Sequence, residues 1–303
     1  MLVRDDMRRS DRTESPLAGA LDMHVHVIGP SKQFPLWPGR SYEPPLAEPH
    51  ALFAHMARTG VDAAVLVQPS VYGADNSRLI SVLRIGKPNL FGIVVPDPGT
   101  DDRTLDAWDR LGVRGIRLNL VNPAVLSPRD AIRLAARTHR LGWHLQVQLD
   151  LNQCDGVALI QDLAHSVAAP IVIDHLGLCS SPEVFQTIMP LLQRGKIWLK
   201  VSAPYRLAPR QPPLAALLKL LFAACPDQLI WGSDWPHTDT TMVRPDPVRF
   251  AAWLHELAAG AHAPKLFRLN ASRLLGLNPC SPPRPGDLRN QEGNMEICIT
   301  RRA

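Results

Sequence analysis

The run Leu21-Asp-Met-His-Val-His-Val27 is the first of eight short apolar segments that recur along this chain of 303 residues. The other seven cover residues 63–69, 90–96, 115–119, 143–149, 170–176, 196–202 and 229–235. Each segment is nearly continuous and rich in β-branched residues, a pattern typical of parallel strands covered on both faces. The spacing leaves room for one helix between successive strands, so the sequence predicts a single-domain α/β fold, the (β/α)8 TIM barrel.

Two of the intervening segments open with a serine followed by proline, a common start of a helix. The segment that follows Ser127 is expected to be helical until Gly142. The segment that follows Ser181 is a second crossover helix, which Pro190 is expected to kink or shorten.

Polar side chains that can take part in catalysis or bind ligands lie at the carboxyl ends of the predicted strands, where the catalytic groups of such barrels are found. These strand-end residues are His24, His26, Ser70, Arg117, Asn119, Gln148, Asp150, Asp174, His175, Ser202 and Asp234. We therefore expect the active site at that end of the barrel.

The composition is typical of one large enzyme domain, with 46% apolar residues available for a core. Five cysteines without CxxC spacing argue against a disulfide framework and favour a reducing, cytoplasmic location. The net charge of +5 comes from scattered Lys and Arg, and no segment is apolar enough to cross a membrane. We expect neither a nucleic acid nor a membrane as partner.

Segments outside the strands suggest the domain organisation. Residues 1–20 are rich in charged residues and are predicted to form an exposed N-terminal arm, residues 21–277 the barrel, and the proline-rich residues 278–303 a C-terminal tail. The long loop of residues 28–48 contains Pro, Gly and aromatic residues, and we expect it to fold over the mouth of the barrel as a lid.

Two histidines share one face of the first predicted strand. Because side chains alternate along a strand, His24 and His26 should both point into the barrel. Two imidazoles at one level can bind a metal ion or polarise a carbonyl oxygen, although such a pair by itself also occurs as ordinary structure. The presence of His175 and Asp234 at the ends of strands six and eight favours a functional site.

Four motifs, in order along the chain, resemble the amidohydrolase superfamily and specifically its amidohydrolase-2 branch. They are Asp22-Met-His-Val-His26, Ile173-Asp-His-Leu-Gly177, Trp231-Gly-Ser-Asp-Trp-Pro-His237 and Asn270-Ala-Ser-Arg-Leu-Leu-Gly276. Within that branch the chain is most similar to the 2-pyrone-4,6-dicarboxylate lactonase-like group, which includes sulfomuconolactone and sugar-lactone hydrolases. The likeness runs from residue 21 to residue 277 and implies a hydrolase of a carboxylic ester bond in a small anionic lactone.

A mechanism follows from this set of residues. We expect Asp234 to act as general base on a water molecule, while His24, His26 and His175 polarise the lactone carbonyl oxygen. Protonated Asp234 can then return the proton to the leaving oxygen.

The resemblance also implies four contacts to the anionic groups of the substrate. The segments that contain Ser70, Arg117, Arg206 and Tyr42 are similar to those that bind the substrate carboxylates in the lactonase group. Each has a structural alternative: Arg117 could pair with Asp150 or another strand-end carboxylate, Ser70 could cap a helix, and Arg206 and Tyr42 could be ordinary loop residues.

The chain departs from the lactonase pattern after the fourth strand. It reads Leu120-Val-Asn-Pro123 where the pattern has a second basic residue, so a dicarboxylate held by two arginines would lose one of them. The exact substrate therefore stays open.

The metal requirement also stays open. Strand five has Gln146, Gln148 and Asp150 where metal-dependent superfamily members have His, which argues against a bridged two-metal centre. The resemblance favours a site without metal. The alternative is one Zn²⁺ or Mn²⁺ ion held by the three histidines and Asp234, which would suit a metal-dependent decarboxylase or hydrolase of a cyclic acid. A binding protein that has lost catalysis is a third reading, which the retained histidines oppose.

Overall fold

A parallel β-barrel is the centre of the computed structural model, which describes residues 15–87, 89–122, 125–207, 213–239 and 246–277. Its eight strands are hydrogen-bonded in sequence order. They are β1 Leu21–Val25, β2 Ala63–Val67, β3 Leu90–Val94, β4 Val113–Asn119, β5 His144–Gln148, β6 Ile171–Ile173, β7 Ile197–Val201 and β8 Leu229–Trp231. The segment after β8 meets β1 through a hydrogen bond from His26 N to Trp235 O (2.8 Å), so the predicted barrel is confirmed.

Helices connect the strands and cover the outside of the barrel. They are α1 Pro49–Thr59, α2 Ser77–Leu83, α3 Asp102–Arg110, α4 Pro128–Thr138, α5 Gly156–Ser166, α6 Pro182–Gln193, α7 Leu214–Ala224, α8 Pro247–Leu257 and α9 Asn270–Leu274. Ser127 caps α4 by accepting from Asp130 N, as the sequence predicts. Pro190 lies inside α6, and the helix continues to Gln193, so of the two expected effects, a kink or a shorter helix, this proline does not end the helix. Buried Phe185, Ile188 and Leu192 hold α6 against the barrel on both sides of the proline.

Several strands are shorter than the apolar runs. β6 ends before Asp174 and β8 ends before Asp234, because the backbone enters the left-handed region at His175 (φ 51°) and at Asp234 (φ 63°). The side chains of Asp174, His175 and Asp234 therefore extend from turns that follow the strands.

Part of the predicted N-terminal arm packs against the barrel. Leu17 is buried, Ser15 Oγ donates to Thr59 O, and His255 Nε2 lies 2.8 Å from Pro16 O. The prediction of an exposed arm was therefore wrong for Leu17 and Ala20, whose apolar side chains are buried, whereas Ala18 is exposed. Residues 1–14 and the predicted tail, residues 278–303, lie outside the described residues. Among those described, no helix is both long and apolar enough to cross a membrane.

The loop of residues 28–48 lies over the carboxyl end of the barrel, as predicted for a lid. Its two ends are joined by an antiparallel bridge between Ile28 and Ala47, and the side chain of Phe34, within the loop, is buried. At its far side Ser41 Oγ donates to Asn122 Oδ1 (2.9 Å), which follows β4. The lid is thus attached to the body at more than one point.

Candidate active site

Three histidines and one aspartate converge at the carboxyl end of the barrel. The Nε2 atoms of His24, His26 and His175 lie 3.6, 3.4 and 3.9 Å from Asp234 Oδ1. The Nε2 atoms of His24 and His26 lie 3.2 Å apart. All four residues are buried. The structure therefore brings together the catalytic residues that the sequence predicts.

Local backbone features place these side chains. The pairing of β1 with β2 shifts its register between Asp22 and Val25, the part of the strand that contains His24. His175 and Asp234 adopt left-handed conformations that are costly for residues with a side chain and are concentrated at functional sites. Gly232 leaves room for His24, since a Cβ there would lie 2.8 Å from His24 Cβ.

The second ring nitrogen of each histidine has its own partner. His26 Nδ1 lies 2.8 Å from Val67 O, and His175 Nδ1 lies 2.8 Å from Ser202 Oγ. A carbonyl oxygen can only accept, so His26 Nδ1 holds the proton, and in the neutral ring Nε2 presents a lone pair. That lone pair suits a proton or a metal ion and cannot donate to a carbonyl oxygen, so the geometry does not support the predicted polarising role of neutral His26.

The two oxygens of Asp234 have different environments. Oδ2 accepts from Tyr205 Oη and from Arg206 Nε (3.2 Å) and Nη2 (3.1 Å). Oδ1 faces the histidines and has no hydrogen bond among the described residues. Burial raises the pKa of Asp234, but the charge of Arg206 outweighs this effect and holds the pKa well below its usual range. Asp234 is thus ionised at neutral pH, with Oδ1 as its free acceptor.

The two predicted substrate-binding arginines are both engaged with protein groups. Arg206 pairs with Asp234 and donates to Thr238 O (2.6 Å), a contact that the sequence did not predict. Arg117 Nη2 reaches Asp174 Oδ2 (3.4 Å) and Gln148 Oε1 (2.5 Å). The alternative in which Arg117 forms an ion pair with a strand-end carboxylate is therefore confirmed, and that carboxylate belongs to Asp174.

Lys200 on β7 is the residue that sequence reasoning missed. It is fully buried, and its Nζ lies 2.9 Å from Asp174 Oδ1 and 3.2 Å from His24 Nδ1. Burial lowers the pKa of Lys200, while Asp174 opposes that change. The available signal was a lysine inside a continuous apolar run, two residues before Ser202 and hence on the same strand face.

The remaining ionisable groups of the centre are also shifted by burial. Burial lowers the pKa of His175 to about 4, and it lowers the pKa of His24 well below its ordinary value. Burial raises the pKa of Asp22 to about 6, although its Oδ1 accepts from Ser233 N (2.9 Å). His24 and His175 are therefore neutral at pH 7.

A narrow cavity lies between the lid and this centre. Six of the eight predicted site residues line it: His26, Tyr42, Ser70, Arg117, His175 and Arg206. Tyr42 extends from the lid, and burial raises the pKa of its hydroxyl group. His24 and Asp234 lie behind this surface, so the predicted catalytic and binding residues form one site.

The same centre has the donor set of a metal site. His24, His175 and Asp234 form a group of buried ligand atoms within 4.8 Å of one another. Ligands held at about 2.1 Å in a tetrahedron are about 3.4 Å apart, close to the 3.2–3.9 Å separations measured between the Nε2 atoms and Oδ1. Asp234 Oδ1 has no hydrogen bond among the described residues, and each Nδ1 lies near an oxygen that can accept its proton: Asp174 Oδ1 at 3.3 Å from His24, Val67 O and Ser202 Oγ. The residues fit one divalent cation, whereas the sequence favours a site without metal.

Comparison with known proteins agrees with the motifs. A family model described as Amidohydrolase matches residues 21–277. The 4-sulfomuconolactone hydrolase of Rhizobium radiobacter is 31% identical over 231 residues, which are 73% of this chain and 76% of that protein. The 2-pyrone-4,6-dicarboxylate hydrolase of Comamonas testosteroni is 28% identical over 277 residues, which are 85% of this chain and 90% of that protein.

A solved structure supports the same relationship. The putative 2-pyrone-4,6-dicarboxylic acid hydrolase from Pseudomonas putida superimposes with a TM-score of 0.70 at 30% sequence identity. The match covers 85% of this chain and 97% of that one. The barrel is therefore shared with other members of this family.

Proposed function

Because the chain belongs to the Amidohydrolase family, we propose that it is a hydrolase that opens the lactone ring of a small anionic substrate. The observation on which this rests is the arrangement of Asp234 Oδ1 among three histidine Nε2 atoms, under a lid and beside Arg117. The relatives named as hydrolases of lactones support the same reaction class.

Asp234 is the general base of this proposal. Its Oδ1 takes a proton from a water molecule as the water oxygen bonds to the lactone carbonyl carbon. The ring C–O bond then breaks, and the proton returns from Asp234 to the leaving oxygen, so the product is the open-chain hydroxy acid or its keto tautomer. The low pKa of Asp234 keeps it ionised but makes it a weak base, so the carbonyl group must be well polarised.

His175 is the best-placed group for that polarisation. It lines the cavity, and Ser202 Oγ can donate to its Nδ1, which leaves the proton on Nε2. His24 can adopt the same tautomer when Lys200 Nζ donates to its Nδ1. His26, whose Nε2 presents a lone pair, is then the acceptor of the set.

His24, His26, His175 and Asp234 would hold a Zn²⁺ or Mn²⁺ ion, which when bound supplies a Lewis acid that activates water and polarises a carbonyl oxygen. Arg117, Ser70 and Tyr42 would bind the anionic group of the substrate from the cavity wall. Arg206 acts in this proposal mainly through Asp234, because its guanidinium group is already paired there.

A panel of carboxylated lactones tests the proposal. We expect ring opening by the purified protein, and a loss of about 10²- to 10⁴-fold in kcat for Asp234→Asn, the usual effect of removing a general base. Circular dichroism of the variant controls for folding. Lack of turnover for every lactone, or near wild-type activity of folded Asp234→Asn, would contradict the proposal.

Metal content should be measured on the same samples, before and after chelator treatment. Activity that survives chelation would support direct action by the histidines. Stoichiometric metal, with activity lost on chelation and restored by Zn²⁺ or Mn²⁺, would make the four residues ligands. Release of CO₂ from cyclic acids, without lactone hydrolysis, would instead identify a decarboxylase.

A further inference from the structure

A second cavity adjoins the lid cavity and has a different chemical character. It is narrow and shares Ser70 and Arg117 with the lid cavity. We call it the side pocket and define it by Ser70, Val95, Arg117, Asn119, Val125 and Leu126. Ser70 and Arg117 lie in the wall between the two cavities.

Two residues that line the side pocket each have a buried hydrogen-bond donor without an acceptor among the described residues. The donors are Arg117 Nε and Asn119 Nδ2. Arg117 uses its two terminal nitrogens on Gln68 O and on Gln148 and Asp174, and Nε is left over. Asn119 Oδ1 accepts from the backbone of Val121 (3.0 Å) and Asn122 (3.1 Å), which fixes the amide so that Nδ2 is the free end.

Unpartnered buried donors are costly, and a ligand that accepts from them removes that cost. Arg117 is the only charged residue among the described residues that line the side pocket, and none of them has a carboxylate. One anionic group is therefore the complement of Arg117 Nε and Asn119 Nδ2.

Three of the side chains that line the side pocket are apolar. Val95 and Leu126 are buried, and Val125 is 38% exposed at the rim. A second anionic group on the substrate would meet these three side chains without a cation, and Arg206 at the centre is already paired with Asp234. Burying an unpaired carboxylate against such a wall is unfavourable.

We propose that the substrate has a single carboxylate, bound by Arg117 and Asn119, and an alkyl substituent that packs on Val95, Val125 and Leu126. This inference rests on the proposed lactone hydrolase function and narrows its substrate to a monoanionic, alkyl-substituted lactone. It assigns Asn119 to substrate binding and the three apolar residues to specificity.

Two lactones of the same size test the proposal by turnover. The probes are 4-methyl-2-pyrone-6-carboxylate and 2-pyrone-4,6-dicarboxylate. We expect kcat/KM to be at least about tenfold higher for the methyl compound, the discrimination that one uncompensated polar group produces in a pocket. Equal values, or a preference for the dicarboxylate, would overturn the proposal.

Two unreactive aromatic acids make the test independent of catalysis. Binding of 3-methylbenzoate and of benzene-1,3-dicarboxylate is measured by calorimetry, and the monoacid should bind more tightly. If no lactone is hydrolysed while this preference is found, the proposed reaction fails and the pocket assignment stands. Equal or reversed affinities would overturn the assignment, whatever the turnover.

Two variants in one loop form a matched pair. Val125→Arg places a cation at the apolar wall, and we expect it to reduce the preference for the monoacid at least about fivefold, because it pairs with the second carboxylate. Val121→Arg is the control, since Val121 is 43% exposed and does not line the side pocket. The same change in both variants would refute the role of the wall.

Asn119→Asp tests the donor. The aspartate keeps the acceptor for the backbone of Val121 and Asn122 but replaces the free amide by a carboxylate oxygen. Affinity for 3-methylbenzoate should fall at least about tenfold because of like-charge repulsion, while affinity for the neutral 3-methylbenzamide changes less. Unchanged affinity for the benzoate would remove Asn119 from the site.

Discussion

Lys200→Met is the substitution whose effect follows most directly from the structure. Lys200 is completely buried, and its Nζ lies 2.9 Å from Asp174 Oδ1 and 3.2 Å from His24 Nδ1. Methionine has a similar length and no charge, so the substitution removes the ion pair with little change in packing. Asp174 is then left in the barrel interior with fewer partners.

The remaining contacts of Asp174 set the size of the effect. Removing one partner of a buried ion pair costs about 3–5 kcal/mol of unfolding free energy. Asp174 keeps Gln146 Nε2 at 3.0 Å and Arg117 Nη2 at 3.4 Å, so a value near the lower limit is expected. A loss of about 3 kcal/mol in a chain of this size lowers the melting temperature by roughly 5 °C.

Lys265→Met is the matched control. Lys265 Nζ lies 2.8 Å from Asp227 Oδ1, nearly the same distance, but its side chain is 37% exposed. An exposed pair contributes about 0–1 kcal/mol, so this variant should unfold close to the wild type. Thermal and urea unfolding of both variants measures the difference that burial makes.

A double-mutant cycle completes the test. Asp174→Asn, Lys200→Met and the double variant are compared by urea unfolding, and the combined loss should be at least about 1 kcal/mol smaller than the sum of the single losses. Additive losses, or a Lys200→Met variant no less stable than Lys265→Met, would refute the reasoning that Lys200 is held by charge pairing in the barrel.

Three further outcomes are expected. For the metal-free protein, burial lowers the pKa of His144 and His175 to about 3 and about 4. The contribution of these two histidines to stability is complete above pH 6.5 and is lost as the pH falls toward 4. Asp22, whose pKa burial raises to about 6, changes stability in the opposite direction, but it is one group against two. When the pH is lowered from 6.5 to 5, the free energy of unfolding should therefore fall by roughly 1–3 kcal/mol, and the melting temperature should fall with it. A melting temperature that rises over this interval would contradict the prediction. Zn²⁺ at 100 times its dissociation constant should raise stability by about 2.7 kcal/mol, and calorimetry without any binding heat would exclude the metal site. Arg206→Met should lower kcat as well as raise KM, because Arg206 holds Asp234 Oδ2; a change in KM alone would indicate a direct substrate contact.

The residues of the site followed from the sequence for a simple reason. Parallel strands of a closed barrel place their carboxyl ends at one level, so strand-end residues far apart in the chain must meet. Alternation along β1 placed His24 and His26 on one face. The eight strands, the lid and the convergence on Asp234 could therefore be predicted without coordinates.

Only the tertiary structure decided which groups pair within the site. Arg206 pairs with Asp234, Arg117 and Lys200 both reach Asp174, and Val67 O fixes the proton on His26 Nδ1. These contacts depend on distances of a few ångströms across the barrel, for which the sequence has no periodic signal. Charge pairing and proton positions vary steeply with such distances in a buried site, so roles that residue type leaves open are settled by packing.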